Sequence, residues 1–163
     1  MDKRDTNGVG QLRQAFDDLV RFETILWAEL DARLIDECDM SLGSLNILLV
    51  VDATPSCRVF DIAQSLVITV GGTSQAVDRL EKAGWTVRKP HPSDRRSSIV
   101  ELTAAGQAAL ARATPIFDRE LQRLLRAPLG DSDFTQLAGN LGILRQAAST
   151  TTDVGPQRPS QQK

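Results

Sequence analysis

The sequence predicts a mainly α-helical chain with one small β-hairpin, on three observations. Apolar residues recur at helical spacing through most of the length. Two short runs, Trp85 to Arg88 and Ile99 to Leu102, flank a turn rich in Pro and Arg. Gly84 marks the stop of the helix before that pair and Thr103 the start of the helix after it. Helix, basic hairpin, helix is the layout of a winged helix-turn-helix. A chain of 163 residues can bury a real core. Its five Phe, two Trp and no Tyr leave that core to aliphatic helix packing.

Taken in order, residues 1–9 read as a flexible arm. From about Gln11 to Ile35, Leu12, Phe16, Leu19, Leu26, Leu30 and Leu34 recur at gaps of three, four and seven, the mark of a long amphipathic helix. It is too apolar along one side for a small domain to cover alone, so a partner subunit is expected to bury part of it. Ser41 is a natural N-cap for a second helix, Leu42 to about Ala53, ended by Thr54-Pro55. Its run Ile47 to Val51 also suits a buried strand; length and the cap favour helix. Asp61 to Leu66 reads as a third helix. Thr69 caps a fourth that runs to Ala83.

In the fourth helix Ala76, Val77, Leu80 and Ala83 share a face, while Ser74, Gln75, Asp78, Arg79 and Lys82 lie largely on the other. Gly71-Gly72 falls in its first turn, where each Gly costs about 0.5–1 kcal/mol relative to Ala. The pair is either a frayed helix start or a bare surface that lets the helix end press close to DNA. Thr103 opens a fifth helix to about Leu125, in which Pro115 is expected to cause a kink. Asp131 or Ser132 starts a last helix carrying Phe134, Leu137, Leu141 and Leu144. Residues 149–163 have the composition of a disordered tail.

The net charge of −2 hides a strong asymmetry. Residues 1–39 hold ten acids against five bases, whereas residues 79–96 hold six bases against two acids. Phosphate binding responds to the local field, so an acidic total does not exclude nucleic acid. A solvated charged face would carry a similar pattern. The sequence contains no apolar run of the roughly 20 residues that would span a bilayer, and a cytoplasmic protein without a membrane partner is expected.

Cys38 and Cys57 form no C-x-x-C, and with one His they leave no zinc set. They read as buried or half-buried thiols, with a redox-sensing thiol as the alternative. The common catalytic and nucleotide-binding motifs are missing. No enzymatic activity, metal or cofactor is expected.

The stretch Asp94-Arg95-Arg96-Ser-Ser-Ile-Val-Glu-Leu102-Thr103 resembles the wing signature of the MarR family of bacterial transcriptional regulators: Asp, any residue, Arg, five residues, Leu-Thr. Val77 to Gly84 resembles the end of that family's recognition helix, and Gly106 also fits. At lower specificity the similarity extends over residues 10–148. The chain departs from the family at His91-Pro92, where Asp-Pro is frequent, and at Gly71-Gly72.

The resemblance implies a winged helix-turn-helix over 39–103 and an all-helical dimerisation region built from the N- and C-terminal helices, 10–38 and 104–148. Leu12, Phe16, Leu19, Leu121, Leu137 and Leu141 are its expected dimer contacts. It implies a cytoplasmic homodimer, most often a repressor, that binds double-stranded DNA and is released by a small-molecule effector.

Ser74 and Gln75 are placed to meet bases, and Gln suits a bidentate contact with adenine. Arg79 and Lys82 suit phosphate. Thr69, Gly71, Arg88 and His91 complete the expected DNA-facing set. In the family Asp94 and Arg96 pair to shape the wing, which leaves Arg95 freer to enter a minor groove, without excluding Arg96. Two other readings remain open: an oxidant sensor of this fold using Cys38 or Cys57, and a winged-helix interaction module that has lost DNA binding.

Overall fold

The computed structural model describes residues 3–91 and 97–152. Its elements are α1 (Lys3–Cys38), α2 (Leu42–Ala53), α3 (Val59–Leu66), α4 (Val70–Lys82), β1 (Thr86–Pro90), β2 (Ser98–Leu102), α5 (Ala104–Leu121) and α6 (Ala127–Thr152). A π-helical turn, Gln122–Arg126, lies between the last two. The chain divides into two compact units, Met1–Glu120 and Leu121–Lys163. The first unit holds residues 10–38 together with 39–103 and most of α5, and the second holds the rest of 104–148.

The first unit is built around α2. Ser41 Oγ accepts the Ser44 N–H at 3.2 Å, and the Asp31 carboxylate of α1 accepts the Leu42 N–H at 2.7 Å. Two donors of the first turn are thereby satisfied, which commits the Ile47 to Val51 run to helix. Leu42, Leu45, Ile47, Leu48 and Val51 are all buried, as expected of a helix covered on several sides. α1, α3, α4 and β2 pack against it.

α1 begins at Lys3, so the segment expected to be an arm is helical from its third residue. Once a helix is nucleated it extends by one hydrogen bond per residue fixed. Gly8 and Gly10 oppose that by only about 1 kcal/mol each. Leu30 and Leu34 of α1 are buried in the core, whereas Leu12, Phe16 and Leu19 are 72%, 69% and 52% exposed.

α3 starts two residues before its expected position. Asp61 accepts the Arg58 N–H at 2.8 Å and so closes the helix start at Val59. The helix ends on Val67, whose φ of 55° is the left-handed conformation usually given to glycine. Thr69 then caps α4 as expected, its Oγ accepting the Gly72 N–H at 3.2 Å.

β1 and β2 form an antiparallel ribbon in the register Thr86↔Leu102, Arg88↔Val100, Pro90↔Ser98. Ile99 and Val100 are buried, and the Val100 N–H donates to the Cys57 carbonyl at 2.7 Å, which seats the ribbon on the loop after α2. Thr103 closes the ribbon: its Oγ donates to the Gly84 carbonyl at 2.6 Å and accepts the Gly106 N–H at 3.0 Å.

Pro115 lies inside α5, which continues past it to Leu121. The irregular geometry comes later, at the π-helical turn and at Gly130, whose φ of 75° and ψ of 172° break the helical path. That break is where the sequence placed the start of the last helix. Within this second unit Arg126 donates to Asp131 at 2.7 Å, with its guanidinium 6.0 Å from the Phe134 ring centre. α6 runs to Thr152, so residues 149–152 of the expected tail are helical; residues 153–163 lie outside the described residues. Among the described residues no helix is long and apolar enough to cross a membrane.

Candidate nucleic-acid interface

α3, a three-residue turn (67–69) and α4 form a helix-turn-helix, with the β-ribbon following α4 directly. The orientation of α4 follows from its buried residues, Thr73, Val77 and Leu80. At about 100° per residue, the ridge opposite them is Gly71, Gln75, Asp78 and Lys82. Gly71, Gln75 and Lys82 are exposed and Asp78 is half-exposed. A Cβ on Gly71 would meet nothing within 4 Å, so this end of the helix is bare.

The two flanks of the ridge differ in what they face. One carries Ser74, Asp78 and Glu81 and is reached by Arg88 of β1. The Arg88 Nη1 donates to Asp78 Oδ1 at 2.5 Å and also to Glu81. Its backbone N–H donates to Glu81 Oε1 at 2.8 Å, and its Nη2 lies 3.4 Å from the Ser74 carbonyl. With only 26% of its side chain exposed, Arg88 does not present a charge outward. Arg88, expected as a DNA contact, is held in this structure by two carboxylates one helical turn apart where β1 crosses α4.

The other flank, Gly72, Ala76 and Arg79, faces a cleft of about 510 Å³. Trp27 of α1, Ile47 of α2, and Leu66 and Ile68 beside the turn supply apolar walls, while Ser41, Ser44 and Asn46 add polar atoms. Arg79, expected to meet phosphate, is exposed and borders this cleft.

His91 is half-buried at the base of the wing, and its Nε2 is 2.9 Å from the Arg58 guanidinium. Arg58 therefore places a further exposed cation beside the wing. The sequence signal that would have found it is the Arg58–Asp61 spacing at the start of α3. Lys89 pairs with Glu101 across the ribbon at 2.5 Å. Asp94, Arg95 and Arg96, the expected wing tip, lie outside the described residues.

Of the expected dimer contacts, Leu12, Phe16, Leu19 and Leu141 are exposed, while Leu121 and Leu137 are half-buried. Cys57 is buried and Cys38 half-buried, with the Cys38 thiol 3.1 Å from the Leu34 carbonyl. Burial pushes both thiols above their ordinary value. Among the described residues there is no group of three His, Cys, Asp or Glu that can hold a metal ion.

Comparison with known proteins places this geometry. The model of the MarR family matches residues 40–98, from just before α2 to the first residue of β2. An uncharacterized HTH-type transcriptional regulator of Bacillus cereus is 32% identical over 97 residues, 60% of this chain and 63% of that protein. The chain thus matches less than two thirds of the length of such relatives. A MarR family transcriptional regulator from Streptomyces coelicolor, solved in complex with DNA, superposes with a TM-score of 0.78 at 25% identity, over 83% of this chain and 90% of that one. The transcriptional repressor CouR, solved bound to a 23-mer DNA duplex, gives 0.72 at 29% identity, over 78% and 89%.

Proposed function

We propose that the chain, whose residues 40–98 match the model of the MarR family, is a sequence-specific repressor of transcription. One observation carries the reading. The outward ridge of α4, with Gly71, Gln75 and Lys82 exposed, stands beside the β-ribbon, whose connecting turn carries Arg95 and Arg96 in the sequence. Gln75 reads an edge of adenine in the major groove, with Ser74 beside it. Lys82 and Arg79 bind phosphate and supply affinity rather than sequence choice. Arg95 enters the adjacent minor groove, with Asp94 and Arg96 shaping the wing. Relatives of this fold solved on DNA support the partner.

The active species is a homodimer. Leu12, Phe16 and Leu19 form part of an exposed apolar stripe on α1 that a second copy would cover, and Leu141, Ile143 and Leu144 offer another on α6. Two copies of α4 then read a pseudo-palindrome with half-sites about 10 bp apart. The cleft beside Arg79 takes a small lipophilic or phenolic effector, whose binding moves the flank of α4 and releases the DNA. The oxidant-sensor alternative loses support from Cys38 and Cys57, because a thiol with a raised pKa holds little thiolate.

The test is selection of a binding sequence from a random duplex pool, with a mobility shift on the DNA upstream of the reading frame. A selected pseudo-palindrome, and loss of binding in Arg95→Ala/Arg96→Ala, support the reading. A wild-type chain that enriches no sequence overturns it.

A further inference from the structure

We propose that Arg88 is a positioning residue for sequence discrimination, holding two carboxylates away from the DNA and tying the wing to the base-reading edge of α4. This rests on the DNA-binding reading above and names how its specificity is set.

Asp78 sits on the outward ridge between Gln75 and Lys82, with its side chain 49% exposed. Glu81 is one turn further on, with 28% exposed. A bare carboxylate on this ridge would face phosphates as the helix enters a groove, and like charge repels binding. Arg88 lies against both acids, with its charge spent on them rather than on DNA. It reaches them from the strand that leads into the wing.

The same contacts fix geometry. Ser74, Asp78 and Glu81 are spaced by four and three, one stripe along two turns of α4. Arg88 touches all three. Glu81 in addition accepts the Arg88 backbone N–H, so a main-chain atom of β1 is docked on the helix as well as a side chain. The ribbon cannot slide along α4 or swing away from it without breaking part of this set. The separation between Gln75 in one groove and the wing in the next is thereby held constant. DNA whose groove geometry does not match that separation is rejected.

The test uses the full chain, the duplex it selects and a random-sequence duplex of equal length, titrated over a series of KCl concentrations. Arg88→Met is expected to weaken the selected duplex at least about tenfold, because Asp78 and Glu81 become uncompensated. Arg88→Met/Asp78→Asn/Glu81→Gln removes that charge and is expected to recover affinity while the selected-to-random ratio stays low, since the tie is still missing. Asp78→Asn/Glu81→Gln frees Arg88 for phosphate. Random duplex should then bind about tenfold tighter, with a log–log salt slope steeper by about 0.9.

If Arg88 were itself a phosphate contact, Arg88→Met and the triple variant would be equally weak, with a slope shallower by about 0.9. That result overturns the proposal, as does an Asp78→Asn/Glu81→Gln variant that binds both duplexes like wild type. This last variant keeps the question decidable if Arg88→Met fails to fold. A wild-type chain that selects no sequence overturns the DNA-binding reading itself, and this inference with it.

Discussion

A Cβ on Gly106 would stand 1.9 Å from the carbonyl oxygen of Trp85. The same oxygen accepts the Thr103 N–H at 3.0 Å, so it cannot retreat without loosening the base of the wing. Gly106→Ala is therefore expected to cost about 3 kcal/mol, at the upper end of the usual range for overpacking. The measurement is urea denaturation. Gly142→Ala is the control, since its Cβ would meet nothing within 4 Å. In a helix that change should stabilise by about 0.5–1 kcal/mol. Equal midpoints for Gly106→Ala and wild type would show that the junction is not tight.

Thr69 caps α4, the helix proposed to read bases. Thr69→Ala removes the acceptor for the Gly72 N–H and should cost about 1 kcal/mol in a thermal or denaturant melt. Thr69→Ser retains the hydroxyl and should lie close to wild type.

Gln75 and Lys82 share the outward ridge of α4 yet should fail in different ways. Gln75→Ala is expected to lose about 1–3 kcal/mol of discrimination at one base pair, seen by titrating single-base variants of the selected duplex. Lys82→Ala should weaken all duplexes alike and reduce the salt slope by about 0.9. A uniform loss in Gln75→Ala would remove it from base reading.

The apolar stripe of α1 predicts the state of assembly. Leu12→Glu/Phe16→Glu places two charges on residues 72% and 69% exposed, where a single chain tolerates them. Sedimentation should then report a monomer that keeps its helical circular dichroism and loses tight DNA binding. A dimer of undiminished strength would place the interface elsewhere.

Burial raises the thiol pKa of both Cys38 and Cys57 above the ordinary value. At a given pH the folded chain thus holds less thiolate than a free cysteine. Alkylation at pH 8 should be slower than for an unfolded control and should go on rising with pH after the control has levelled off. The sign for stability follows: protonated thiols favour the fold below the ordinary value, and that contribution is lost as pH rises through the higher folded values. Mild peroxide should leave DNA binding unchanged; a rapid loss restored by a thiol reductant would revive the oxidant-sensor reading.

Much of the fold was legible because its signals are local. Ser41, Thr69 and Thr103 each accept from a backbone N–H three residues on, a geometry a sequence pattern carries directly. The first helix was longer than expected for the same reason in reverse: extension from an existing helix needs no cap or apolar face, so Lys3 to Gly10 left no local sign. Val67, ending α3 in a glycine-like conformation, left none either.

The sequence by itself determined the order of helices, the position of the ribbon and the outward residues of α4, since period and capping depend on neighbours within a turn or two. Only the tertiary structure decided that Arg88 pairs with Asp78 and Glu81, and that Arg79 borders a cleft. A basic residue on a strand reads the same whether it is free or paired. Which of these holds depends on where β1 crosses α4, a distance set by packing of the whole first unit.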